Sequence, residues 1–238
     1  MNSYKEINYM EKLIIVGLGA TARHLYTFID QHNLYEIIGF AVNRQYKKVD
    51  VFLDKPVYAI EELDSIIDKN EVKLFTAMLW NKLNSERRDL YNTLKNEGYK
   101  FANVISPTAQ IRSEIKGDNC WLHDFVIVQN NTEIGSNNMI MAYTLIGADV
   151  KMGSHCFCGA KSTIGGGCTV GDQTFIGINS TIFDDRNVGS KCIIGACTAV
   201  KRNLEDNSLI KTTSDNNIIK RYSENEIETK LLFSKNVK

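Results

Sequence analysis

At 238 residues the chain can form one large domain or two small ones, and either can bury a real core. Its 28 Lys+Arg balance 28 Asp+Glu, so it lacks the concentrated basic charge that a non-specific nucleic-acid binder needs. The opening "MNSYKEINYMEK" contains no continuous apolar segment and no stretch approaches the roughly 18 apolar residues of a membrane span, so neither a signal peptide nor a span is expected.

"KLIIVGLGATARHLYTFIDQ" reads as a short buried strand, a tight glycine turn and a helix starting near Ala20, with Leu25, Phe28 and Ile29 on one helix face. "EIIGFAV" at 36–42 is a second strand, "AIEELDSIIDK" a helix, "VKLFTAM" a strand and "NSERRDLYNTLKNEG" another helix. Strands alternating with helices predict a small α/β domain with a parallel, Rossmann-like sheet over residues 1–103. The basic runs "KK" at 47–48 and "KLNSERR" at 82–88 are short and are expected to face solvent.

Gly17-Leu18-Gly19 places a helix N-terminus where its unpaired amides can meet an anion. The pattern departs from the dinucleotide fingerprint, because Ala22 holds the third glycine position and no acid ends "GFAVNR" to hold a ribose. NAD is therefore disfavoured, and a phosphate-bearing sugar remains, with Asn43, Arg44, Asn81 and Lys82 as candidate polar partners. Trp80, beside Asn81, suits either a stacking role or a half-buried strand end.

Beyond "ISPTAQI" a six-residue period takes over. Leu122, Val128, Ile134, Ile140, Ile146, Met152, Cys158, Ile164, Val170, Ile176, Ile182, Val188, Ile194 and Val200 are all apolar and never slip register. Six matches neither a helical turn nor strand alternation; three units close one triangular coil, and successive coils stack at about 4.8 Å. Glycine follows nine of these positions, at 135, 147, 153, 159, 165, 171, 177, 189 and 195, and is expected to permit the sharp corners. The fourth residue after each is often small, as at Thr132, Thr144, Cys156, Ser162, Cys168, Thr174, Ser180, Cys192 and Thr198. Most of the six cysteines (120, 156, 158, 168, 192 and 197) thus take inward positions as free thiols of a reducing cytoplasm. "HCFC" at 155–158 lacks a second ligand cluster, so no metal is expected. Residues 104–238 form this second domain, with the segment "SDNNIIKRYSENEIETKLLFSKN" available as a cap for its open end.

The hexads resemble the left-handed parallel β-helix of the hexapeptide acyltransferases. With an α/β domain ahead of it, the whole architecture is similar to the NeuD/PglD-type sugar acyltransferases, bacterial enzymes that acetylate nucleotide-linked amino sugars or sialic acids. "IIVGLGATAR" stands at that family's sugar-nucleotide loop, "VISPTAQI" at its entry to the β-helix, and "FIGINSTIF" and "IIGACTAVKRNL" at its later coils. The resemblance implies a cytoplasmic homotrimer serving surface-glycan synthesis. It implies a nucleotide-linked amino sugar held through Gly17, Gly19 and the Asn43 region, and acetyl-CoA or another acyl-CoA lying between neighbouring β-helices. Gly166 would offer its amide to the thioester oxygen, and Gly177, Gly195 and Ala196 would leave room for pantetheine.

One departure bears on catalysis. The family carries a His followed by an acid on one coil, and "LIGADVKMG" places Ala148 and Asp149 there. Phe157 replaces a second family histidine, and Met141-Ala142 replaces the usual Asn-Thr. An amine acceptor tolerates loss of a general base better than a hydroxyl does, since part of it is unprotonated near neutrality. N-acylation is therefore favoured over O-acetylation or a purely sugar-nucleotide-binding role. Asp149, His155 and His123 are the candidate catalytic residues, both histidines pointing outward from the prism, while His24 and His32 are expected to be incidental.

Overall fold

The computed structural model describes residues 10–212 and 217–229. The amino-terminal part runs β1 (Lys12–Val16), α1 (Ala20–His32), β2 (Glu36–Val42), β3 (Val51–Phe52), β4 (Lys55–Ala59), α2 (Leu63–Ile66), β5 (Val72–Thr76), α3 (Ser85–Asn96) and β6 (Lys100–Phe101). These strands form one sheet in the order β3-β4-β2-β1-β5-β6. Strand β1 is apolar from Leu13 to Val16 because both its faces are covered: Leu13 and Ile15 pack with Leu25, Phe28 and Ile29 of α1, whereas Ile14 and Val16 pack with Tyr91 and Leu94 of α3.

Two expectations change here. The sheet is mixed, because β3 pairs antiparallel with β4. Leu53 and Asp54, at φ 49 and φ 58, join them in a two-residue turn with both central residues left-handed, which matches the twist of a hairpin. "AIEELDSIIDK" is not one helix but a 3-10 turn, Ile60–Glu62, followed by the single turn α2. The buried residues of the two turns, Ile60 and Leu63, are three apart, a spacing that suits the tighter 3-10 geometry.

The chain leaves that sheet after Phe101 and enters another at Val104, which pairs with Trp121. Between Trp121 and Val200 every strand is two residues long and the strands pair with one another in parallel at an 18-residue offset, as in Met139↔Phe157, Leu145↔Thr163 and Lys151↔Thr169. This is a left-handed parallel β-helix with three faces. All fourteen hexad positions, Cys158 among them, point inward, from Leu122 at 0% to Met152 at 4% exposure, and the cysteines at 120, 156, 168 and 192 join them in one core.

The corners are built differently from expectation. Their left-handed residues fall at Phe125, Asn131, Asn137, Tyr143, Asp149, His155, Lys161, Gln173, Asn179, Asp185, Lys191 and Cys197, and only at Gly167 is the residue a glycine. The recurrent glycines sit two residues earlier and answer a steric demand. A Cβ on Gly147 would lie 2.6 Å from the Gly166 nitrogen, and one on Gly171 would lie 2.4 Å from the Ser190 nitrogen. Coil-to-coil stacking, not backbone freedom, requires them.

The outer surfaces of the three faces differ. On one, Trp121, Met139, Phe157, Phe175 and Ile193 are buried, the first four beneath α1, Trp80 and their neighbours. A second carries exposed Glu133, Lys151, Thr169 and Asn187. The third shows half-buried Ile127, Leu145, Thr163, Thr181 and Ala199, with no charge among them. Exposed Phe125, Tyr143, Ile178 and Phe183 flank this third face, and the Phe125 and Tyr143 rings stack at 4.9 Å.

The carboxy-terminal segment closes the last coil with a hairpin and then a helix. Ser208–Thr212 extends the first face and pairs antiparallel with Asn217–Arg221, and Ile210 and Ile219 cover the core. Helix α4 (Glu224–Thr229) then buries Ile227 completely in the apolar cluster shared with Ile193.

Candidate functional site

Above the carboxyl ends of the parallel strands lies a cleft of about 770 Å³, lined by Gly17–Thr21 of the first turn with Asn43, Tyr46, Leu79, Asn81, Glu86 and Asp89. The turn is pinned on both sides: Gly17 N–H donates to the Ala41 carbonyl at 2.8 Å, and Ala77 N–H donates to the Val16 carbonyl at 2.9 Å. Gly17 needs to be glycine, because its φ is 131° and an added Cβ would lie 3.1 Å from the Ala77 oxygen. Gly19 is the N-cap of α1 and makes no side-chain cap, and no acid occupies the helix's first turn. The amides of a 13-residue helix therefore open unneutralised into the cleft, an electrostatic arrangement that suits an anion.

A second cavity, a groove of about 530 Å³, runs along the first face of the β-helix at its edge with the third. Gly159, Ala160, Gly177, Gly195 and Ala196 form its floor, Phe157, Phe175 and Trp80 its wall, and among the described residues Lys211 is the only charged one lining it. The expected pantetheine positions Gly177, Gly195 and Ala196 are thus adjacent in space. Small residues recur there because successive coils repeat the same corner, and each missing side chain deepens one channel.

Cleft and groove share a wall. Leu79 and Asn81 line the cleft, while Trp80 between them lines the groove. The Trp80 ring meets Phe157 edge-on at 4.4 Å and Phe175 at 5.7 Å. Behind it, Lys82, Leu83 and Asn84 are consecutively left-handed, at φ 47, 53 and 64. Such a conformation costs roughly 1–2 kcal/mol per residue and persists only where the surroundings enforce it. Full burial of Leu83 and Asn84, and a 3.2 Å hydrogen bond from Gln173 Nε2 to the Leu83 carbonyl, supply that enforcement.

The remaining expected residues lie elsewhere. Arg44 and Lys82 turn to the carboxylates of Glu62 and Glu86, at 2.9 and 3.2 Å, and do not line the cleft. Ala148, Asp149 and Gly166 form a corner on the far edge of the third face, where Gly167 N–H donates to the Ala148 carbonyl at 2.9 Å. Gly166 N–H is engaged by the exposed carboxylate of Asp184 at 2.7 Å.

His123 and His155 do point outward from the prism, but into the seam beneath the α/β domain. His155 Nδ1 accepts from Asn137 Nδ2 at 2.9 Å under the Tyr91 ring, and burial, reinforced by the Arg87 guanidinium, pushes its pKa down to about 4. His123 packs against Phe28 and Trp121, and burial likewise lowers its pKa. His24 and His32, expected to be incidental, belong to the same group: His24 Nε2 is 3.4 Å from His123 Nε2, and His32 Nε2 is 3.4 Å from Asp124. Among the described residues no hydrogen bond or ion pair joins Asp149 to a histidine.

Sequence reasoning missed Arg87. It belongs to "KLNSERR", expected to face solvent, yet it is fully buried and donates to the Cys156 carbonyl at 3.0 Å. Burial lowers its pKa to about 10, which still leaves it charged at neutral pH. The signal was its place four residues before Tyr91 and seven before Leu94, on the stripe that α3 buries.

Residues 131–166 match the family model of the bacterial transferase hexapeptide (six repeats). No curated protein matches the chain. Solved structures do. One is a mutant GDP-perosamine N-acetyltransferase from Caulobacter crescentus in complex with CoA and GDP-perosamine, with 23% identity, a TM-score of 0.76, and coverage of 88% of this chain and 96% of that one. Another is the acetyltransferase domain of PglB from Neisseria gonorrhoeae, at 16% identity and TM-score 0.75 over 87% and 100% of the two chains. A third is WeeI from Acinetobacter baumannii, at 17% identity and TM-score 0.72 over 87% and 99%. At these identities the likeness establishes a shared fold across both parts of the chain.

Proposed function

We propose that this chain is an acyl-CoA-dependent N-acyltransferase acting on the amine of a nucleotide-linked amino sugar, as a cytoplasmic homotrimer in bacterial surface-glycan synthesis. The observation that carries the reading is the shared wall at 79–81, which sets an anion-accepting cleft back to back with a narrow apolar groove. The nucleotide's phosphates would lie at the α1 N-terminus with Gly17, Gly19, Asn43 and Asn81 around them. The pantetheine arm would lie over Gly177, Gly195 and Ala196. The solved neighbours with CoA and GDP-perosamine bound support this pairing of ligands.

The character of the three faces supports the trimer. One is covered by the chain's own α/β domain and one is charged, which leaves the uncharged third face to meet copies of itself. The groove and the Ala148–Gly166 corner lie on opposite edges of that face. Threefold packing would bring one copy's groove against the next copy's corner and complete a site that neither holds alone. Six free cysteines, five of them buried, support the cytoplasmic assignment.

In the reaction the neutral amine attacks the thioester carbonyl, an N–C bond forms, the C–S bond breaks, and CoA leaves as the thiol. After attack the nitrogen is cationic and readily gives up its proton, so a carboxylate suffices to receive it. We assign this to Asp149, exposed and left-handed at its corner, in place of the base that Ala148 cannot provide. For Gly166 to serve the oxyanion, Asp184 must turn away, a small cost for an exposed side chain. His123 and His155 then act by position, holding the two domains together.

Ala148 also supports a second reading, a sugar-nucleotide binder without catalysis. Thiol release from acetyl- and butyryl-CoA with a panel of nucleotide-linked amino sugars separates the two. Acceptor-dependent release, giving a product stable to mild alkali, is expected; silence across the panel would favour the binder, and an alkali-labile product would mean O-acylation.

A further inference from the structure

The groove has a direction. Lys211, the one charged residue lining it among the described residues, stands at the last coil, where its Cβ lies 3.1 Å from the position a Gly195 Cβ would take. Trp80 and Phe157 stand at the other end, three coils earlier. A donor carrying phosphates at one end and a thioester at the other is oriented by that asymmetry, phosphates to Lys211 and acyl group to Trp80. The shared wall requires the same orientation independently, because Leu79 and Asn81 face the acceptor cleft and transfer must occur beside them.

We propose that Trp80, Phe157 and Phe175 form an acyl-selecting pocket and that the donor carries an apolar acyl group longer than acetyl. The inference rests on the acyl-CoA reading above. Phe157 and Phe175 stack with centroids 5.3 Å apart and planes 6° from parallel, and Trp80 closes on them edge-on. This wall offers an acyl chain apolar carbon over two successive coils. Phe157 and Phe175 are 5% and 8% exposed and show the groove only their edges, while Trp80 is half-buried; a methyl group reaches one such edge, whereas a chain of four carbons can extend past Trp80 to both. The wall is also fixed before the donor arrives, because the left-handed run Lys82–Leu83–Asn84 is locked by burial and holds Trp80 from behind. Specificity here is the work of aromatic packing, and Trp80 is its determining residue because it alone comes from outside the β-helix.

The magnitude follows from transfer energies. Each buried methylene is worth about fourfold in affinity, from roughly 0.8 kcal/mol. Butyryl-CoA is therefore expected to bind the full-length protein on the order of 10-fold tighter than acetyl-CoA in calorimetric titrations without acceptor. Trp80→Ala should bring that ratio to within about twofold. Phe157→Leu, which keeps the site apolar and the coil filled, should lower it partway and guards against a folding defect in the first variant. Equal affinity for acetyl- and butyryl-CoA in the wild-type protein would overturn the acyl pocket and leave the donor reading standing. So would a Trp80→Ala variant that weakens CoA and every acyl-CoA by one common factor, since the ring would then contact a part that all donors share. Failure of CoA and all acyl-CoAs to bind would remove both.

Discussion

His155 shows how burial turns a surface-type residue into a pH-dependent joint. Its ring lies under α3, with the Asn137 amide at 2.9 Å and the buried Arg87 guanidinium nearby, and its pKa falls to about 4. An unfolded histidine takes up its proton near pH 6.5, the folded one only near 4. Between those values the unfolded state binds more protons, so stability drops as pH is lowered through that window. His123, shifted in the same direction, adds to the effect. Melting temperature followed from pH 7 to pH 4 should therefore fall, and His155→Gln should flatten the fall; an unchanged slope in that variant would remove His155 as its source. Little of this was readable in advance. The sequence shows that His155 leaves the prism core, but only the packing of α3 decides that it meets protein and not water. Arg87 was misplaced for the same reason, because charge was weighed above its position on the helix stripe.

At the scale of the element, the hexad made the inner surface legible to the residue, since a two-residue strand and a corner repeat without insertion from Leu122 to Val200. It did not reveal why glycine recurs. Residues such as Lys161, at φ 60, take the left-handed corner, while glycine stands where the next coil's backbone passes. The two roles predict opposite responses. Gly171→Ala places a Cβ within 2.4 Å of the Ser190 nitrogen and should destabilise by about 1–3 kcal/mol, the range of overpacking. Lys161→Gly relieves a left-handed residue of roughly 1–2 kcal/mol while adding some unfolded-state entropy, so it should be neutral or mildly stabilising. Denaturant midpoints of the two variants test this, and a Gly171→Ala protein as stable as wild type would contradict the steric account. The mixed edge of the first sheet escaped sequence reading because "FLDKP" carries no glycine or asparagine to announce a left-handed turn.

For the molecule as a whole, the division of labour among the three faces organises everything else. One face is covered by the α/β domain, one is charged, and the uncharged one carries the proposed contact between copies of the chain. The cleft proposed for the acceptor and the groove proposed for the acyl donor meet at residues 79–81, where Leu79 and Asn81 line the one and Trp80 the other. Sequence alone marked the cleft's glycines and the groove's small residues, but not the strap between them. That strap depends on three consecutive left-handed residues, none of them glycine. The measurement that tests the account most directly is a crystal structure with CoA and a nucleotide-linked amino sugar bound. The account predicts three copies joined through the Leu145–Thr163–Thr181 face, phosphates of the sugar nucleotide at the Gly17–Thr21 turn, and the CoA sulfur beside Trp80 on the far side of the 79–81 wall. CoA bound on the charged Glu133–Lys151 face, or a sugar nucleotide bound away from the α1 N-terminus, would contradict it.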